Sequence, residues 1–168
     1  MTTARGGAGA WMAAIGFFLL TEGVWVGLLA PLLLWVEFDR VEFPPAAPWA
    51  VALGGVLVAA GSALSLAAYH RLLVHGGGTP LAFRPPRRLV TGGPYGVIRN
   101  PQAVGMIAVA VGVALLFDST QTWWLPLLVV VYLLVGVLPG ERRHLEELHG
   151  DAYRDYLARV PGWVPRAW

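Results

Sequence analysis

The 168-residue sequence contains no cysteine and no lysine, and only 13% of its residues are charged. The absence of cysteine excludes disulfide bonds, thiolate metal ligands and a cysteine nucleophile. The scarcity of charge accompanies a hydrophobic fraction of 57%. A soluble domain of this length cannot bury so much apolar surface, so the composition predicts an integral membrane protein.

Four apolar stretches contain most of the hydrophobic residues. They cover about 10–36, 49–74, 103–117 and 122–138. The first is too long for the apolar region of a signal peptide, so we expect it to be a retained helix. The last two are near or below the minimum of about 17 residues for a transmembrane helix and are separated by a short polar turn, which predicts a tight hairpin. We predict one domain, 1–168, with an all-α polytopic fold of about four transmembrane helices.

The distribution of arginine predicts the orientation in the membrane. Eleven of the twelve basic residues, all arginine, precede the first stretch, lie at the end of the second or between the second and third, or follow the fourth, and only Arg40 lies elsewhere. Cytoplasmic loops of membrane proteins carry such an excess of basic residues. The pattern therefore places both termini and the middle loop, 76–102, on the cytoplasmic side.

Glycine and proline are concentrated in this middle loop, and they exclude a regular helix through most of it. Irregular backbone beside a membrane needs protein or water to satisfy its polar groups. Such a loop therefore usually packs against protein or lines a water-filled cavity. Its glycines permit close approach to a ligand, and its arginines favour an anionic one. A loop that contacts only lipid headgroups is the alternative, and composition alone does not decide between them.

A polar segment, 141–168, follows the last apolar stretch. Its apolar residues recur at helical spacing, which predicts an amphipathic helix that lies against the membrane or the bundle and ends at Pro161. Glu141, at the membrane boundary, is either a functional acid or a solvated helix end. Glu22 lies in the middle of the first stretch, so we expect it to face the bundle interior, and its role stays open.

Two motifs in these polar segments resemble those of a known family. The first is Leu-Val-Thr-Gly-Gly-Pro-Tyr at 89–95, followed by Arg-Asn-Pro at 99–101. It resembles the central motif of the isoprenylcysteine carboxyl methyltransferase family, a broad membrane family that includes bacterial homologues and is similar to phospholipid N-methyltransferases. The second resembles the C-terminal signature of that family and consists of Glu141, Leu145, Gly150, Tyr153, Tyr156 and Val160-Pro161. The resemblance covers 76–165 and implies a protein of the bacterial inner membrane.

The resemblance implies that S-adenosylmethionine binds between the middle loop and the C-terminal segment. The implied cofactor contacts are Arg87, Arg88, Leu89, Val90, Tyr95, Asn100, Pro101, Gln102, Ala103 and Glu141. A carboxylate such as Glu141 suits the α-amino group of this cofactor. Because a sulfonium is already electrophilic, methyl transfer needs alignment and desolvation more than acid–base catalysis. We expect no catalytic triad and no metal ion, and we consider Arg99 and Asn100 as contributors to catalysis.

Departures from the family pattern bear on the acceptor. Asn100 replaces the usual histidine, and Gln102-Ala103 removes a tyrosine near the cofactor. Val137 stands where eukaryotic members have an arginine that contacts the substrate carboxylate, and Arg142 replaces a second glutamate. These changes disfavour a prenylcysteine carboxylate. They leave a lipid, isoprenoid or other hydrophobic acceptor that enters from the bilayer, with membrane lipids and no nucleic acid as partners.

Two other functions remain open at this point. Membrane sterol and enone reductases are similar in this half but bind NADPH, and they are much longer chains. A non-enzymatic partner protein that keeps the scaffold is compatible with the altered positions at Gln102, Ala103 and Arg142. The nucleophile of the acceptor and the oligomeric state cannot be read from the sequence.

Overall fold

The computed structural model describes residues 8–24, 46–77, 87–117 and 120–165, and within these ranges it contains helices and no strands. The all-α prediction is therefore confirmed for this part of the chain. The α-helices are α1 Ala8–Val24, α2 Pro48–Arg71, α3 Pro94–Val97, α4 Pro101–Phe117, α5 Trp124–Val131 and α6 Leu138–Arg159. Two π-helical segments, Leu72–Gly76 and Tyr132–Val137, extend α2 and join α5 to α6, and a 3-10 turn, Thr120–Trp123, precedes α5.

Two of the described helical runs are long and apolar enough to cross a membrane, namely Pro48–Gly76 and Trp124–Arg159. Ala8–Thr21 and Pro101–Phe117 are apolar but shorter. The second half of the first predicted stretch, 25–36, the side chain of Glu22 and the loop residues 78–86 lie outside the described residues. A total of four membrane crossings therefore stays a prediction.

Close contact between α2 and α4 depends on glycine. A Cβ atom added to Gly61 would lie 2.7 Å from the carbonyl oxygen of Gly105, and one added to Gly112 would lie 2.7 Å from the carbonyl oxygen of Gly54. These pairs require α2 and α4 to run antiparallel, with backbone against backbone. In a membrane the hydrophobic effect does not drive helices together, because lipid tails are as apolar as the side chains. Close packing at small residues stabilises the contact instead. The small residues of α2 include Ser65, which is fully buried.

The predicted hairpin of the last two stretches is present as α4 packed against α5. One buried cluster joins them and consists of Ala103, Met106, Val109, Ala110, Val113, Leu125, Val129 and Leu133. Near the turn, the hydroxyl of Thr122 donates a hydrogen bond to the carbonyl oxygen of Ala114, at 3.3 Å. The hairpin returns the chain to the end of the bundle at which α4 begins.

The C-terminal helix does not begin where the sequence predicted. The prediction was a span that ends near 138 and a new helix from Glu141, but the helical run continues from α5 into α6 through Tyr132–Val137. Pro139 lies in the first turn of α6, where its missing N–H and its ring would disrupt a regular α-helix. The wider π-helical turn before it avoids that conflict. α6 has a break at Gly150, with φ 50° and ψ −121°, and ends at Arg159, before Pro161 as expected.

Candidate functional site

The described residues enclose a cavity of about 350 Å³ at one end of the bundle. This volume lies within the range of about 300–1,000 Å³ that is typical of small-molecule sites. Its walls come from the end of α2, the middle segment 87–100, the junction of α5 with α6, and the residues that follow α6. Seven residues predicted for the site line it: Arg88, Leu89, Val90, Tyr95, Arg99, Asn100 and Glu141.

The middle segment is held against the end of α2. The backbone N–H of Arg88 donates to the carbonyl oxygen of Gly76, at 3.2 Å. Gly93 has φ 64°, and a Cβ atom there would lie 2.6 Å from Nε of Arg71. Glycine is therefore required at 93 both for its left-handed backbone and for the close approach of the arginine. Pro94 then begins the short helix α3, which carries the buried Tyr95.

The C-terminal segment joins the middle segment through three hydrogen bonds. The backbone N–H of Arg99 donates to the carbonyl oxygen of Pro161 at 2.8 Å, and that of Asn100 donates to Gly162 at 3.3 Å. The hydroxyl of Tyr156 donates to the carbonyl oxygen of Tyr95 at 2.7 Å, in a buried position. The two motifs, far apart in the sequence, therefore form adjoining walls of one cavity.

The lining divides into an apolar part and a polar part. Glu141 is the one acidic residue of the lining, and Arg88, Arg99 and Arg142 are basic. The remaining residues that sequence reasoning did not assign to the site are Leu72, Leu134, Leu138, Leu145, Tyr153, Tyr156, Gly162 and Trp163. The C-terminal motif already contained Leu145, Tyr153 and Tyr156. No sequence signal pointed to Trp163, which reaches the cavity only because the chain after α6 turns back over the middle segment.

Burial by the surrounding protein raises the pKa values of several polar groups in the lining. Glu141 lies beyond the apolar part of its helix and is open to the cavity but densely surrounded by protein, and this burial raises the pKa of its carboxyl. Burial also raises the pKa of Tyr95, and the charge of Glu141 raises it further. Burial likewise raises the pKa of Tyr156 above its ordinary value, with smaller increases from the neighbouring Tyr153 and from Glu141. Both phenols stay protonated at neutral pH, so they donate hydrogen bonds and do not act as bases.

Four of the predicted cofactor contacts do not line the cavity. Arg87 is exposed outside it, whereas Pro101 and Ala103 are buried and Gln102 is partly buried on α4. The helix begins at Pro101, and each residue along it turns by about 100°, so only part of its first turn is able to face the cavity. Ala103 instead belongs to the cluster between α4 and α5.

Comparison with known proteins agrees with the motifs. A family model described as phospholipid methyltransferase matches residues 49–152, which is more than half of the chain. The resemblance found in the sequence is confirmed at the level of this family. The matched range includes the middle segment and Glu141 but ends before Tyr153, so the last part of the cavity wall lies beyond it. No curated protein and no solved structure matches the chain.

Proposed function

The chain belongs to the phospholipid methyltransferase family, and from this premise we propose that it transfers the methyl group of S-adenosylmethionine to a lipid or another hydrophobic acceptor in the membrane. Family membership implies a membrane methyltransferase; the cofactor, the site residues and the acceptor class belong to the proposal. The observation that carries it is the cavity at which the two motifs meet, with the carboxylate of Glu141 in its wall.

The lining fits S-adenosylmethionine. Glu141 offers a carboxylate to the α-ammonium group, and a charge-assisted hydrogen bond of this kind is stronger than a neutral one. Leu89, Val90 and Leu72 form an apolar wall suited to the adenine ring, with Tyr95 beside them. These residues come from three separate parts of the chain, so the complete site exists only in the folded bundle.

Methyl transfer from this cofactor requires the protein mainly to position the two reactants. The sulfonium supplies an electrophilic methyl group, and the chain holds it in line with a nucleophile and away from water. Tyr95 and Tyr156 keep their protons and so do not take a proton from the acceptor, and the hydroxyl group of Tyr156 connects the two walls. The lining thus supports transfer to a nucleophile that is positioned by the protein rather than activated by a strong base.

The proposal of an apolar acceptor is supported by the apolar part of the lining that lies at the helix surface. Leu134 lines the cavity and is 51% exposed, so the cavity reaches the outer surface of the helical run, which we expect to face lipid. Leu138 continues this apolar wall towards Glu141. Val137, where eukaryotic relatives have an arginine, packs against the α4–α5 cluster instead. A hydrophobic acceptor from the bilayer therefore fits better than a prenylcysteine carboxylate.

Calorimetry on the detergent-purified protein tests the proposal. S-adenosylmethionine should bind, and Glu141→Gln should weaken its affinity by about tenfold to a hundredfold, since a hydrogen bond between charged groups contributes about 1.5–3 kcal/mol. Glu147→Gln is the matched control, because Glu147 is exposed on the same helix and does not line the cavity.

Equal affinities for the wild type and Glu141→Gln would refute the role of this carboxylate. Thermal stabilisation by NADPH in place of S-adenosylmethionine would favour a reductase instead. Binding of neither cofactor would favour a non-enzymatic partner protein.

A further inference from the structure

Arg99 has an enclosed donor group without an acceptor. Its side chain is partly buried and lines the cavity, and its Nε atom is sealed from solvent and has no hydrogen-bond partner among the residues that the structure describes. An enclosed N–H of a charged group that lacks an acceptor costs free energy comparable to a lost hydrogen bond or more. Because Arg99 lines the cavity, an anionic ligand that enters the cavity supplies an acceptor to its guanidinium group.

Arg99 is also the best fixed of the three arginines in the lining. Arg88 and Arg142 are exposed, so water satisfies their guanidinium groups. The backbone of Arg99 is tied to the chain after α6 by its hydrogen bond to Pro161. Its guanidinium group lies along Gly162, where an added Cβ atom would be 3.5 Å from Nη2. The cation is thus positioned before any ligand arrives.

The opposite charge in the same cavity is Glu141, and the two are not paired with each other. Within the described ranges, the ion pairs join Arg154 to Glu146 and to Asp151, and neither Arg99 nor Glu141 takes part in one. The cavity therefore presents one anion and one well-fixed cation that remain separate.

Both charges act on the same pair of phenols. Burial raises the pKa of Tyr153 and Tyr156, the charge of Glu141 raises it further, and the charge of Arg99 lowers it. The two tyrosine rings are neighbours, with centroids 6.3 Å apart. Arg99 and Glu141 line the same cavity as these two tyrosines, so the cavity offers both charges that a zwitterionic group requires.

We propose that Arg99 binds the α-carboxylate of the methionine portion of S-adenosylmethionine, while Glu141 binds its α-ammonium group. This inference rests on the proposed function and assigns Arg99 to cofactor binding rather than to catalysis. The planar guanidinium fork matches a carboxylate with two parallel N–H···O bonds, whereas a lysine ammonium offers only a point charge. Arg99→Lys should therefore recover only part of the affinity that Arg99→Met loses.

The test compares ligands that differ by one carboxylate. Calorimetry on the purified full chain would measure S-adenosylmethionine and decarboxylated S-adenosylmethionine against wild type, Arg99→Met, Arg99→Lys and Arg143→Met. Arg143 is an exposed arginine of α6 outside the cavity lining, which makes it the matched control. Arg99→Met should weaken the affinity for S-adenosylmethionine by about tenfold to a hundredfold, and change that for the decarboxylated ligand by less than about threefold.

Each result decides the question. Equal losses for the two ligands would show that Arg99 acts through the structure of the cavity wall, and would overturn the inference. If Arg99→Met does not fold, the wild type alone still tests it, because equal affinities for the two ligands would overturn the inference. Binding of S-adenosylmethionine without carboxylate dependence refutes this inference alone, whereas a wild-type protein that does not bind S-adenosylmethionine refutes the proposed function.

Discussion

Removal of one hydroxyl group, by Tyr156→Phe, should weaken both the fold and the cofactor site. This hydroxyl donates the buried 2.7 Å hydrogen bond to the carbonyl oxygen of Tyr95. Phenylalanine keeps the ring and its contact with Tyr153 but leaves the carbonyl without that donor. An enclosed acceptor that loses its partner costs about 1–3 kcal/mol, so the free energy of unfolding should fall by that amount.

The assay is equilibrium unfolding in detergent, followed by measurement of S-adenosylmethionine affinity. Tyr153→Phe is the control: its ring is also buried on α6, but its hydroxyl makes no hydrogen bond to another described residue. Affinity in Tyr156→Phe should fall as well, because the lost bond joins the two walls of the cavity.

The pH dependence gives a second readout of the same bond. The folded-state pKa of Tyr156 is raised, so the neutral hydroxyl contributes its full stability below the ordinary tyrosine pKa of about 10, and the contribution is lost as pH rises further. The difference between wild type and Tyr156→Phe should be constant below about pH 10 and shrink above it. Equal stabilities of Tyr156→Phe and Tyr153→Phe would refute the reasoning.

Three further predictions concern packing, pH and orientation. Gly61→Ala should destabilise the protein by about 1–3 kcal/mol in thermal unfolding, because its Cβ would meet the backbone of α4; Gly55→Ala, with open space around it, should be neutral or slightly stabilising. The affinity for S-adenosylmethionine should fall as pH decreases through the raised pKa of Glu141, since the protonated acid no longer attracts an ammonium group, and a calorimetric pH series on Glu141→Gln should lack this fall. Because the chain has no cysteine, Ala152→Cys and Asp118→Cys give single labelling sites, and impermeant reagents should reach only Asp118→Cys from outside intact cells; the reverse result would contradict a cytoplasmic cavity.

The cavity brings together some of the residues that the motifs assigned to the site and leaves others out of its lining. Glu141 and Tyr95 were assigned to the site because they belong to two motifs. A motif is a local pattern that can be recognised from the sequence alone. Pro101 and Ala103 were assigned by the same resemblance, yet they face away from the cavity. The rotation of a helix about its own axis is decided by packing against its neighbours, and the motif does not record it.

The boundary of α6 is a similar case. The change from apolar to polar residues after 138 favoured a break between the apolar span and a new helix. The structure instead changes the helical pitch over Tyr132–Val137 and lets the helix continue. Local propensity marked the point of conflict correctly, but the α4–α5 packing, to which Leu133 contributes, holds this part of the run against α4.

The sequence by itself determined that the protein lies in a membrane and which motifs contribute residues to the site. Hydrophobic content, the positions of twelve arginines and two local motifs can be read from the sequence alone. Each is a property of the residues themselves or of a short segment of the chain. Only the tertiary structure decided which side chains meet. Gly162 and Trp163 line the cavity beside Arg99 because of contacts between residues distant in the chain. Such contacts depend on how the bundle packs, and no local pattern contains them.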